Sequence, residues 1–179
     1  MLEGLKVVEV KNPELLPEFN RPSEPVVGVN WYESVVHALL RGSLLATEAQ
    51  WEYAATCGGR FKHGTSSGEL RSDEAHYYPH SEGITADIGS YPANVWGLND
   101  MTGNVWEWVM DWVKGYSSGR QTDPTGPAEG KFRGLRGGSW DDKGSGRSAR
   151  RLPRQRRPRG TQRGSWVSFS CAPGLLKMP

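Results

Sequence analysis

A chain of 179 residues, 36% hydrophobic and 23% charged, is long enough to bury a core of its own and reads as one domain. No apolar run approaches the roughly 18 residues of a membrane span, which argues against a membrane partner. Net charge is only +2, yet residues 131–163 hold 12 of the 22 Lys and Arg against two acids, Asp141 and Asp142, leaving the remainder acidic. A charge block of this kind is either a solvated face or a surface for an acidic ligand.

The N-terminus "MLEGLKVVEVKNPELL" has no basic-then-apolar leader pattern, so a cytoplasmic protein is expected, with eventual surface display left open. "VVEV" is a candidate strand within it. "NWYESVVHALLRG" then predicts a helix. Asn30 stands at the cap with Glu33 at the capping-box position, apolar residues follow at Trp31, Val35, Ala38 and Leu39, and Gly42 stops it. "TEAQWEYAATCGG" repeats the device, with Thr47 and Gln50 as the box, Trp51, Ala54 and Ala55 as the buried stripe, and Gly58 as terminator.

From Gly59 to about Gly97 the chain is polar and Gly/Ser-rich, and it predicts loop. "NVWEWVMDW" changes period: Trp106, Trp108, Met110 and Trp112 alternate with Val105, Glu107, Val109 and Asp111, the pattern of a strand with one strongly apolar face. Another loop, "KGYSSGRQTDPTGPAEG", leads to the short candidate strands "FRGLRGGSW" and "SWVSFSCA". Between them lies "RLPRQRRPRG", with five arginines in ten residues. The sum is one α+β domain of two capped helices, short strands and long loops. The two cysteines, Cys57 and Cys171, are too few for a disulfide framework and read as free buried thiols, although they could pair.

The blocks "PVVGVNWYESV", "LLATEAQWEYAATCGG", "GLNDMTGNVWEWVMDW" and "RGLRGGSWDD...RSARR...RGSWVSFSCA" together resemble the formylglycine-generating-enzyme (sulfatase-modifying-factor) family over residues 25 to 172. The resemblance implies a C-type lectin-like fold, with two helices around small twisted antiparallel sheets. It divides the chain into an N-terminal extension, 1–24, and a domain, 25–179. The family's enzymes oxidise a client cysteine with a copper-binding cysteine pair flanking the "RSA" block. Here that stretch is "SGRSARRLPR", with no cysteine, so no catalytic residue is assigned. Cys171 matches a structural cysteine of the family. His76 and His80, at i and i+4 in "HYYPH", are weak as a metal pair because Pro79 opposes a helix.

In the family the G-N-V-W-E-W turn helps bind calcium, and by position its ligands map to Asp100, Gly103, Val105 and Glu107. The alternative for Glu107 is a local hydrogen bond or a pairing with arginine. No other cofactor is implied.

A second group on this scaffold, the variable proteins of diversity-generating retroelements, carries a hypervariable surface at the C-terminal end. Its template resembles S-W-N-N-N…R-S-A-N-R-N…R-N-N-N-I-G-F, mutated at the adenines of AAY codons. The matching positions here are Asp141, Asp142, Gly146, Arg150, Leu152, Arg157, Arg159, Gly160, Gly164 and Ser165, all types reachable from AAY. The unreachable Lys143, Gln155 and Gln162 must then be invariant. On this reading residues 138–170 form a variable binding region, floored by Trp140, Trp166 and Trp106, for a protein or other macromolecular ligand with acidic character. The alternatives are an ordinary family member with an Arg-rich loop, a formylglycine-generating-type oxidase acting on protein cysteine, which the absent cysteine pair disfavours, and an Arg-rich nucleic-acid binder. The last is disfavoured because Pro and Gly interrupt the arginines and no reader motif frames them.

Overall fold

The computed structural model describes residues 21–142 and the backbone of the strand at 167–168. Chain order is α1 (Trp31–Leu40), α2 (Glu48–Ala55), β1 (Trp106–Trp112), β2 (Arg133–Arg136) and β3 (Val167–Ser168). Both capping boxes form. Asn30 Oδ1 accepts from Glu33 N (3.1 Å) while Glu33 Oε2 accepts from Asn30 N (2.6 Å). Thr47 Oγ1 accepts from Gln50 N (3.2 Å) while Gln50 Oε1 accepts from Thr47 N (2.9 Å). Each cap stabilises a short helix by about 1 kcal/mol. The "VVEV" strand and the 1–20 segment lie outside the described residues.

The three strands form one sheet in the order β2-β1-β3. β1 and β2 are antiparallel, with Glu107 opposite Arg136 and Trp108 opposite Leu135, and an irregularity before the Trp112–Arg133 pair. β3 joins the other edge of β1 in parallel, Trp106 opposite Val167. A parallel pair needs a connection of a dozen or more residues, and residues 113–166, which include β2, separate β1 from β3 in the chain. β2 ends where Gly137 (φ +94°) and Gly138 (φ +83°) leave the region open to side-chain-bearing residues.

The core is three small clusters: Trp51, Ala54, Ala55, Met101 and Val109; Val27 and Val105, with Ile84 and Trp140; and Trp106 and Leu135, with Trp108. Two sequence expectations change here. In β1 the alternation is present, but the deeper face carries the acids: Glu107, Val109 and Asp111 are buried, whereas on the tryptophan face Trp106 is buried and Trp108, Met110 and Trp112 are half-buried. The acids go in because α2 feeds them donors. Trp51 Nε1 donates to Glu107 Oε2 (2.6 Å) and Glu48 N donates to Asp111 Oδ2 (2.7 Å). In α1 the buried residues are Ser34 and Ala38, and Leu39 faces solvent at 50% exposure.

The stretch 59–97 holds no helix or strand, as expected. It is instead pinned by point contacts. His76 bridges Gly103, and its ring lies within hydrogen-bond distance of Tyr91 Oη (3.0 Å) and Ile84 O (2.8 Å). Glu24, buried, accepts from Arg21 and from Thr85 Oγ1 (2.8 Å). Burial alone would raise the Glu24 pKa, but the Arg21 and Thr85 bonds hold it below the usual carboxylate range.

Candidate functional site

The candidate binding region opens at Trp140, and its launch is set by the turn before β1. Asn104 sits there at φ +59°, a conformation that Asn tolerates better than most side chains. Its amide, 2% exposed, accepts from Ala86 N and donates to Ala86 O, both at 3.1 Å. Its backbone N donates to His76 O (2.7 Å), and its carbonyl accepts from Trp140 N (2.8 Å). Gly103 N donates to Gly137 O (2.9 Å), and a Cβ on Gly103 would overlap His76 O. One turn therefore joins the 76–89 loop to the residues that lead into the arginine-rich stretch.

Of the ten expected variable positions, the described residues contain two. Asp141 is exposed. Asp142 Oδ2 accepts from Ser139 N (3.0 Å), and Asp142 N returns a bond to Ser139 O (3.1 Å), so this carboxylate closes a turn. Burial pushes its pKa up, against the lowering effect of the Ser139 bond. Gly146, Arg150, Leu152, Arg157, Arg159, Gly160, Gly164 and Ser165 lie outside the described residues, as do Trp166 and Cys171. Trp140 packs on Val27 and Val105, while Trp106 packs on Leu135, so these two rings belong to different clusters.

The four positions mapped to calcium carry suitable donor types, hard oxygens on a tight turn. Their carboxylates, however, are turned to different neighbours. Asp100 Oδ2 accepts from Gly89 N (2.8 Å), and burial raises its pKa. Glu107 is engaged by Trp51 on α2, the hydrogen-bonded alternative. Gly103 and Val105 are buried beside them in sequence. Calcium therefore rests on the resemblance alone. His76 and His80 do not pair as metal ligands: the first contacts Tyr91 and Ile84, and the second stands edge-on to Tyr77. Among the described residues no three His, Cys, Asp or Glu cluster as a metal site. Cys57 is a buried free thiol.

Sequence reasoning missed a polar clamp behind this turn. Arg136, 2% exposed, reaches Glu48 (Nε to Oε1 3.3 Å) and Glu52 on α2, and its guanidinium lies 5.7 Å from the Trp51 ring centre. Tyr116, from the long 113–131 loop, donates to Glu48 Oε1 (2.7 Å). The available signal was the i, i+4 spacing of Glu48 and Glu52, which puts two carboxylates on one helix face. A second arginine, Arg133, is stacked between the rings of Trp31 (3.6 Å) and Trp112 (3.5 Å), with Nη1 donating to Met110 O (2.6 Å). Desolvation there lowers its pKa.

Local desolvation and the Glu48 bond push the Tyr116 phenol up to about 12, and its 68% exposure lets solvent screen much of the resulting stability. An acid whose folded pKa is raised favours folding below its unfolded value, near 10, and loses that contribution as pH rises through about 12. Tyr116→Phe is therefore expected to cost under about 1 kcal/mol at neutral pH and to flatten the stability profile across that alkaline window. Chemical denaturation at successive pH values reads both effects. An unchanged alkaline slope in the variant would show that Tyr116 does not carry it.

Comparison with known proteins places this architecture. A family model described as "Sulfatase-modifying factor enzyme 1-like domain" matches residues 6–173. A serine/threonine-protein kinase pkn1 of Chlamydia caviae is 40% identical over 139 residues, covering 74% of this chain and 22% of the relative. A formylglycine-generating enzyme of Streptomyces coelicolor is 39% identical over 135 residues, covering 67% and 43%. The chain thus spans about a fifth of the first of these curated relatives and less than half of the second. Among solved structures, PvdO from Pseudomonas aeruginosa aligns with TM-score 0.63 at 26% identity, covering 83% of this chain and 61% of that one. Treponema denticola variable protein 1 aligns with TM-score 0.49 at 39% identity, covering 55% and 36%. No helix among the described residues is long and apolar enough to cross a membrane.

Proposed function

The chain belongs to the sulfatase-modifying factor enzyme 1-like family, and from that premise we propose that it is a non-catalytic ligand-binding member, a variable protein of a diversity-generating retroelement. Its binding face is residues 138–170 on the C-type lectin-like scaffold. The observation that carries the reading is the residue pattern between Trp140 and Trp166. Ten positions matching template asparagines hold types reachable by adenine mutation of AAY, while Lys143 and Trp166, in register with the third asparagine of S-W-N-N-N and of R-N-N-N-I-G-F, hold fixed types; the cysteine pair that oxidation requires is absent.

The chemistry of the face follows from its residues. Arginine offers a planar fork of donors for carboxylates and phosphates and stacks on aromatic faces, so this version selects an acidic ligand. Side chains on a loop held at both ends can be exchanged at little cost in stability, which is what a diversified surface needs. With the family's thiolate pair missing, there is no soft-metal site to activate oxygen. The family's calcium, where present, would supply rigidity to the turn at residues 100–107, not a reacting centre.

The test is the DNA around the gene. A reverse transcriptase gene nearby, with a near-copy of the DNA for residues 138–170 differing only at adenines, is the expected finding; its absence removes the variable-protein reading. Independently, the purified chain is expected to leave a cysteine-containing sulfatase peptide unchanged. Turnover of that peptide would restore the oxidase alternative.

A further inference from the structure

Arg133 carries a charge that the fold partly encloses without neutralising. Arg21, Arg71 and Arg136 have carboxylate partners, and Arg41, Arg60 and Arg120 stand in solvent. Arg133 is half-buried, yet among the described residues no carboxylate lies within ion-pair distance of it. Asp111 acts on it only at longer range, its own Oδ2 being taken by Glu48 N. The guanidinium is held instead between the rings of Trp31 and Trp112, with Nη1 donating to Met110 O. The Trp31 ring is itself fixed, because its Nε1 donates to Val109 O on β1 (3.0 Å). Of the remaining donors, Nε is enclosed without an acceptor. Nη2 also lacks one but is open to solvent. A desolvated cation with unused donors is costly unless an anion completes it.

We propose that Arg133 is the recognition group of a carboxylate site, in which Nη2 and the spare hydrogen of Nη1 bind the ligand and the Tyr32 hydroxyl supplies a second donor. Tyr32 is 68% exposed, meets the Trp31 ring edge-on at 5.2 Å and lies within electrostatic reach of Arg133. The chemistry selects the ligand. The two terminal nitrogens of a guanidinium match the spacing of carboxylate oxygens. One guanidinium neutralises one negative charge, whereas a phosphate dianion would keep an uncompensated charge beside two indole walls. A neutral ligand would leave the cation as it is. The site is also separate from the face at 138–170. Arg133 begins β2 and Gly137 follows its end, so four residues, about 13 Å of strand, lie between them. Its residues therefore stay the same whichever side chains the variable region carries.

Nuclear magnetic resonance of the arginine Nε–H groups in the full chain tests this. The ring currents of Trp31 and Trp112 set the Arg133 signal apart from those of the other arginines. Sodium acetate is expected to shift that signal saturably, with a dissociation constant of about 1–10 mM, while sodium chloride at equal ionic strength leaves it in place. Tyr32→Phe changes an exposed side chain and is expected to weaken acetate about tenfold with an unchanged melting temperature. A short neutral peptide bearing one glutamate distinguishes the source of the carboxylate. Tighter binding than acetate identifies an acidic side chain of a protein, and weaker binding identifies a free small acid. Three results each overturn the proposal. The first is a signal that stays in place up to about 0.1 M acetate. The second is an equal response to chloride. The third is a Tyr32→Phe variant that binds acetate like the wild type.

Discussion

Asn104→Ala is expected to destabilise the fold by about 4 kcal/mol, lowering the melting temperature by roughly 10 °C. Two costs add. The alanine removes both amide bonds and leaves the half-buried Ala86 N and O without those partners, at about 1.5 kcal/mol each, in the lower half of the range for a buried unsatisfied group. It also places a side chain with no polar compensation at φ +59°, which costs about 1 kcal/mol more. Asn104→Gly separates the terms, because glycine takes that conformation freely while losing the same two bonds. It is expected to fall about 1 kcal/mol short of the alanine variant. Because the Asn104 carbonyl also receives Trp140 N, amide exchange at Trp140 should accelerate in the alanine variant ahead of exchange in β1. An alanine variant within about 1 kcal/mol of wild type would mean that the 76–89 loop does not depend on this amide.

How much of this was legible beforehand follows from the range of each signal. Both capping boxes were readable because cap and partner lie three residues apart and their residue types fix the geometry. Period two in "NVWEWVMDW" identified β1, but a period assigns residues to faces without saying which face goes inward. Four large apolar residues pointed to the tryptophan side. The decision was made by donors distant in sequence, Trp51 Nε1 and Glu48 N, which make Glu107 and Asp111 the cheaper residues to bury. Leu39 misled for the same reason, since helical spacing could not show that Ser34 and Ala38 supply the close-packed side.

At the site the blocks of the family located the turn at residues 100–107 and the start of the arginine-rich region. They did not separate Asp142, which closes a turn with Ser139, from Asp141, which is exposed. That distinction matters for the proposed diversification. A position whose side chain bonds its own turn tolerates fewer residue types than one pointing into solvent.

Arg136→Met should cost about 3 kcal/mol, the lower end for breaking a buried ion pair. Methionine keeps much of the arginine's length and apolar contact with Trp51, so the loss is electrostatic and not a cavity. What sets the size is how well the abandoned carboxylates can find water. The Glu52 side chain is 43% exposed and can rehydrate by rotating outward, whereas Glu48 is 16% exposed and also receives the Tyr116 hydroxyl. Coupling energies from double-mutant cycles should follow that order. Arg136 with Glu48→Gln is expected to show well over about 1 kcal/mol, and Arg136 with Glu52→Gln under about 1 kcal/mol, as measured by urea denaturation. The closer approach of Glu52 argues for the reverse order if distance alone decided the matter. A larger coupling to Glu52 would therefore show that geometry outweighs desolvation in this clamp. The expected order would instead mean that α2 is held to the sheet chiefly through its first turn, where Glu48 N, Asp111 and Arg136 converge.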